Sequence, residues 1–195
     1  MTSGAQTSRS PFQVLPGGRR VSDTVAGVQI VVARGDDPPF AIDGEVFEED
    51  TWLALSTKTD VIRSLDHPLR VMTRVWEAKP ESPGSVTIKP GPPARLLAVV
   101  HDLDAEPSCT EEWVESALYE VFASCTEHRL HDLKLPLLGS KHGNLPPTRF
   151  MALLRRSLQR AVDEDASLPL RRLWLVRGSE PGDELLRALA DLAGC

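Results

Sequence analysis

Apolar residues in this chain fall into short runs of strand length up to about residue 95, and beyond it such runs alternate with stretches of helical spacing. The first strand signals lie over residues 21–33, where Val28, Ile30, Val31 and Val32 form a β-branched run that stops at Arg34-Gly35-Asp36-Asp37. Pro38-Pro39 forbids simple continuation. Residues 45–50 read as an acidic, solvated loop, and residues 52–55 (WLAL) as a second buried strand that opens into the polar run Ser56-Thr57-Lys58-Thr59-Asp60. Residues 61–76 are ambiguous: Val61, Ile62, Leu65 and Leu69 recur at near-helical spacing, but His67-Pro68 interrupts them.

The second half is more regular. Ser82-Pro83-Gly84 predicts a turn, residues 85–88 a short strand, and Pro90-Gly91-Pro92-Pro93 another turn. Residues 95–101 (RLLAVVH) are almost continuously apolar, as a central strand covered on both faces requires. Thr110 reads as an N-cap with Glu111 and Glu112 in the first turn of a helix to about Cys125, whose Trp113, Val114, Ala117, Leu118, Val121 and Phe122 share one face. Leu133, Leu135, Leu137 and Leu138 mark a buried strand. A glycine-bounded loop, Gly139 to Gly143, and Pro146-Pro147 then lead into a helix over residues 148–162. Residues 172–177 (RLWLVR) read as the last strand and 183–192 as a closing helix. This alternation predicts a layered α/β domain with a largely parallel sheet.

Composition narrows the class. At 195 residues the chain suits a single domain, placed at residues 21–195, behind a flexible Ser-, Gly-, Pro- and Arg-rich tail at residues 1–20. A formal net charge of -6 argues against a binder of nucleic-acid backbone, so nucleic acid is not expected as a partner. Cys109, Cys125 and Cys195 are too few and too scattered for a disulfide framework or a zinc site, so a reducing cytoplasmic setting is expected, without metal or cofactor. No run reaches the roughly 18 apolar residues of a membrane span, and the N-terminus lacks the apolar stretch of a secretory signal.

The chemistry concentrates in residues 133–147 (LKLPLLGSKHGNLPP). A loop that leaves the carboxyl end of a strand and enters a helix presents free N–H groups and the positive end of a helix dipole, a natural seat for phosphate. Lys141 and His142 add donors there. The same pattern also serves as plain connection chemistry in α/β proteins, and it is neither a Walker loop nor a GxGxxG fingerprint.

Several stretches together resemble the macro domain, an α/β/α module known for binding ADP-ribose. Gly35-Asp36 is similar to the Gly-Asp that ends the family's first strand. Val99-Val100-His101, with Pro83-Gly84 upstream, is similar to its Val-Ile-His segment, and Leu135 to Gly143 to its phosphate loop. The resemblance implies a three-layer α/β/α fold around a mixed, largely parallel sheet. It implies that Asp36 accepts a hydrogen bond from the adenine amino group and that Gly139, Ser140, Lys141, His142 and Gly143 surround a diphosphate. Ser56 would lie in the loop beside the distal ribose, whose hydroxyl Thr59 or Asp60 would bond, and Lys58 and Lys141, on adjoining loops, would jointly stand in for missing glycine N–H groups as phosphate partners. Two features depart from the family: residues 56–60 hold no asparagine, and residues 61–76 hold no glycine for a second phosphate loop.

The resemblance therefore implies a binding module for ADP-ribose or a related NAD-derived nucleotide, without catalysis, whose partners are that ligand and an ADP-ribosylated or other protein. One alternative is an ADP-ribosyl hydrolase in which Asp60 or Asp102 positions water. Another is an interaction scaffold with a degenerate pocket. His101 reads as a satisfied strand-end histidine, and Asp102 and Asp104 as part of an acidic loop.

Overall fold

A computed structural model describes residues 13–14, 21–55 and 79–177. Its strands are β1 (Gln13–Val14), β2 (Val21–Val25), β3 (Val28–Arg34), β4 (Gly44–Asp50), β5 (Val86–Lys89), β6 (Ala94–His101), β7 (Asp132–Pro136) and β8 (Arg172–Arg177), and its helices are α1 (Glu111–His128) and α2 (Pro147–Glu164). The strands form one sheet in the order β1-β2-β3-β8-β7-β4-β6-β5. From β3 to β6 each neighbouring pair is parallel, while β1, β2 and β5 pair antiparallel at the margins. The expected mixed, largely parallel sheet is present. Its parallel block brings the carboxyl ends of β3, β8, β7, β4 and β6 to one edge, where ligands of open α/β sheets bind.

The first strand region is a hairpin. β2 and β3 join through Ala26 and Gly27, both at positive φ (49° and 83°), the two-residue turn whose twist matches the flanking strands. The second parallel strand is displaced from its expected place. It is β4, the acidic Gly44–Asp50, and not residues 52–55, which form a turn with Leu53 at φ 53° and Trp52 half exposed. A hydrophobic-run criterion misses such a strand because three of its carboxylates have partners elsewhere in the fold, although the Oε1 atom of Glu49 is buried without a hydrogen-bond partner among the described residues. Glu45 pairs with Lys134 on β7 at 2.6 Å, Glu48 meets His101 on β6, and Asp50 Oδ1 accepts from the Trp52 and Ala54 N–H groups at 2.8 and 3.1 Å. Val46 alone carries the apolar register into the core.

Both helices form where their signals lie. Thr110 Oγ1 accepts from Trp113 N at 3.3 Å, Glu111 and Glu112 face the positive end of the α1 dipole, and Arg129 ends the helix in the left-handed conformation at φ 54°. α2 starts on Pro147, which has no N–H to lose in a first turn. Val114, Leu118, Val121 and Phe122 of α1 and Phe150, Leu154 and Leu158 of α2 are buried with Leu96, Val100, Leu133, Leu135, Leu173 and Leu175 of one sheet face. The alternate residues Val31, Ala33, Leu97, Val99 and Trp174 are also buried, so this sheet is apolar on both faces. The ambiguous residues 61–76 and the expected closing helix at 183–192 lie outside the described residues. Among the described residues no helix is long and apolar enough to cross a membrane.

Gly44 lies where β4 enters the core, and a Cβ there would stand 2.9, 3.1 and 3.2 Å from Cδ1 atoms of Leu133, Leu130 and Leu96. Gly44→Ala is therefore expected to overpack this junction and lower stability by about 1–3 kcal/mol. A fall in the urea midpoint with unchanged slope would show it; an unchanged midpoint would mean the leucines yield freely.

Candidate functional site

β7 hands the chain to a loop that folds on itself. Ser140 donates to the Leu137 carbonyl through both its N–H and its hydroxyl, at 3.2 and 2.6 Å, and the Gly139 carbonyl accepts from Gly143 N and Leu145 N at 3.1 and 3.0 Å. The two glycines have a specific cause. Gly139 sits at φ 73°, and a Cβ on Gly143 would stand 2.6 Å from Cys109 Cβ and 2.8 Å from the Gly139 carbonyl oxygen. Only a bare backbone fits between Cys109 and the rest of the loop. Substituting Gly143 thus disturbs packing before it reaches any ligand. Among the described residues, the N–H groups of Lys141 and His142 have no hydrogen-bond acceptor.

A cavity of about 720 Å³ opens beside this loop, lined by Phe47, Leu55, Pro136, Leu137 and Val176 as apolar surface and by Glu45, Glu48, Lys134, Ser140, Lys141, His142 and Arg177 as polar surface. It runs along Glu45 to Glu48 of β4 and the carboxyl ends of β7 and β8. The loop is tied to its floor through histidines. His101, 1 % exposed, donates from Nε2 to Glu48 Oε1 at 2.5 Å, and the His142 ring meets the His101 ring edge to face at 5.9 Å. His101 is the satisfied strand-end histidine expected, although its partner is a carboxylate read as a loop residue. Lys134 is held twice, by Glu45 and by the face of Trp174 at 4.8 Å.

The sequence candidates divide. Ser140, Lys141 and His142 line the cavity, with Gly139 and Gly143 behind them shaping the turn. Asp36 follows β3 at the same edge, one residue after Gly35, whose added Cβ would lie 3.5 Å from Val176. Its carboxylate is 69 % exposed and is engaged by Arg34 Nε and Nη2, both at 3.0 Å. Asp102 is not brought to the cavity: Oδ1 accepts from Asp104 N at 3.1 Å in a local turn, and its own N–H donates to the Ser108 carbonyl. Ser56, Lys58, Thr59 and Asp60 lie outside the described residues. Glu48 and Arg177 were missed by sequence reasoning. The signal for Glu48 was its spacing two residues after Val46 in a strand; nothing in the pattern of RLWLVR marks Arg177 as a cavity residue.

Cys109 supports the loop from below. Burial, and then the charge of Glu48, push its thiol up to about 11 from an ordinary 9.0, and burial alone pushes Cys125 up to about 12.

No family model and no curated protein matches the sequence. Solved structures do match by fold. The Oceanobacillus iheyensis macrodomain with ADP superposes at TM-score 0.65 and 12 % identity, over 90 % of this chain and 97 % of that one. The macro domain of ganglioside induced differentiation associated protein 2 gives 0.58 at 13 % identity over 85 % and 82 % of the two chains. The macrodomain of Thermus aquaticus DarG gives 0.51 at 18 % identity over 78 % and 100 %.

The thiolate is the nucleophilic form, so a thiol raised from 9.0 to about 11 holds about a hundredfold less of it at pH 8. In a Cys195→Ser background, alkylation of Cys109 by iodoacetamide is expected to be slow at pH 8 and to climb steadily up to about pH 11. Removing the nearby charge with Glu48→Gln shifts that profile toward lower pH. A rate that levels off near pH 9 would show that Cys109 is not held as described.

Proposed function

We propose that this chain, which has the macrodomain fold, is a binding module for ADP-ribose or a related nucleoside diphosphate. The cavity at the carboxyl edge of the sheet carries the reading. Its volume falls in the range of small-molecule sites, and it combines an apolar floor with a loop that offers two N–H groups and the Lys141 ammonium. Such a loop neutralises phosphate oxygens, while Phe47, Pro136 and Val176 shelter the uncharged parts of a nucleotide. The Oceanobacillus iheyensis macrodomain has been solved with ADP and, as a variant, with ADPR, which supports the same ligand class for this chain. With the diphosphate at residues 140–142, the adenine points toward Asp36 beyond the end of β8. Asp36 keeps unused lone pairs when Arg34 holds it, and these accept the amino group.

Binding without hydrolysis fits the position of Asp102, which faces its own turn. One observation favours a second reading. Glu48 lines the cavity and is hydrogen-bonded to His101, a carboxylate–imidazole pair of the kind that takes a proton from water. Under that reading Glu48, not Asp102, positions the water that cleaves an ADP-ribosyl bond.

A thermal-shift and calorimetric panel of ADP-ribose, NAD, AMP and cyclic nucleotides separates these readings. Ligand at a hundred times its Kd stabilises the fold by about 2.7 kcal/mol, a rise of several degrees in Tm for a chain of this size. ADP-ribose is expected to give it, and Lys141→Glu to abolish it. No shift with any of these at millimolar concentration would sink the binding reading. Release of ADP-ribose from a modified protein, lost in Glu48→Gln, would establish the hydrolase instead.

A further inference from the structure

Several arginines elsewhere on the described surface have carboxylate partners. Arg149 pairs with Glu111, Arg156 with Glu115, Arg160 with Glu164 and Arg172 with Asp132. In the cavity, Glu45 is matched by Lys134 and Glu48 is held by His101. What remains there is positive. Neither Lys141 on the loop nor Arg177 at the end of β8 has an ion-pair partner among the described residues, and Arg177 Nε is a buried donor with no hydrogen-bond acceptor. Unlike a cation on the open surface, Arg177 is part-buried at this cavity, where water cannot fully replace a missing acceptor. A buried guanidinium N–H without an acceptor is costly unless a ligand supplies one.

We infer that Arg177 is a ligand-binding residue of this cavity, which grips the diphosphate from the β8 side while Lys141 and the loop N–H groups grip it from the other. The inference rests on the diphosphate reading above and adds to it the second half of the clamp. Residues 61–76 carry no glycine to bring a second run of backbone N–H groups against the phosphates, and a guanidinium fork supplies two parallel donors in their place. Two positive charges also match the two negative charges of a diphosphate diester. Recognition by side-chain charge, unlike recognition by backbone dipoles, weakens steeply with salt.

The test measures Kd by calorimetry for ADP-ribose, adenosine and inorganic pyrophosphate with the wild-type chain, Arg177→Met, Arg177→Lys and the surface control Arg149→Ala. Methionine keeps the aliphatic packing and removes a donor that has no partner among the described residues. Arg177→Met is therefore expected to keep or raise Tm while weakening ADP-ribose and pyrophosphate by about ten- to a hundredfold and leaving adenosine unchanged. Arg177→Lys restores the charge without the fork and recovers part of the loss, and Arg149→Ala changes none of the affinities. If wild type binds ADP-ribose and Arg177→Met binds it equally well, the inference is overturned and the binding reading stands. If wild type binds pyrophosphate in an Arg177-dependent way but no nucleotide, the anion site stands and the nucleotide reading falls. Binding of neither ligand by wild type overturns both. A Tm lowered in Arg177→Met, with affinity unchanged, would assign Arg177 to the fold.

Discussion

The hydrogen bond between His101 and Glu48 holds the functional edge of this molecule together. A central strand flanked by β6 and β7 has little access to water, and a carboxylate there is tolerated only with a committed partner. His101, almost wholly buried at the end of β6, is that partner. It does two further things. Its backbone carbonyl accepts from Thr51 N at 2.9 Å, which starts the turn after β4, and its ring supports His142 at the tip of the β7–α2 loop. The loop in turn lies on Cys109 through two glycines, so its exposed N–H groups and Lys141 face the cavity from a supported position. Breaking the pair would leave a buried carboxylate unmatched and take away the surface against which the loop is set.

The acidic character of β4 also changes how the site relates to the macro-domain pattern. β4 ends at Glu48-Glu49-Asp50, so its carboxyl end presents acids, unlike the asparagine-rich loop end that the resemblance implies. Glu48 is neutralised in hydrogen-bonding terms by His101, and Asp50 is consumed in capping the following turn. The cavity's lysine and arginine side chains come instead from β7, from the loop after it and from the end of β8. The likeness in fold to solved macrodomains, at identities of 12–18 %, fits a scaffold that is kept while the groups on its carboxyl edge are exchanged.

Much of the architecture was legible from local pattern. The continuous apolar runs of β6 and β8, the Thr110 cap with its acidic first turn, and the proline-led start of α2 each rest on short-range physics and lie where expected. The strand–glycine loop–helix at residues 133–147 was legible for the same reason: its glycines and prolines act through their own backbone freedom. β4 was not legible. Its stability comes from Lys134, His101 and two N–H groups, contributed by other strands or by the turn, and no count of apolar residues along GEVFEED reports them.

By itself, then, the sequence determined an α/β chain with a parallel core, a phosphate-suited loop between β7 and α2, and a resemblance resting on Gly35-Asp36, Val99-Val100-His101 and the 135–143 segment. Only the tertiary structure decided that Asp102 turns inward on its own loop, that Glu48 faces the cavity beside a buried histidine, and that Arg177 lines the cavity with a buried Nε that has no acceptor among the described residues. The reason is physical. Propensity, capping and turn chemistry are properties of a few consecutive residues, whereas which charges meet and which are left over depends on strand order, and that order places β8 and β4 on either side of β7 across long stretches of chain.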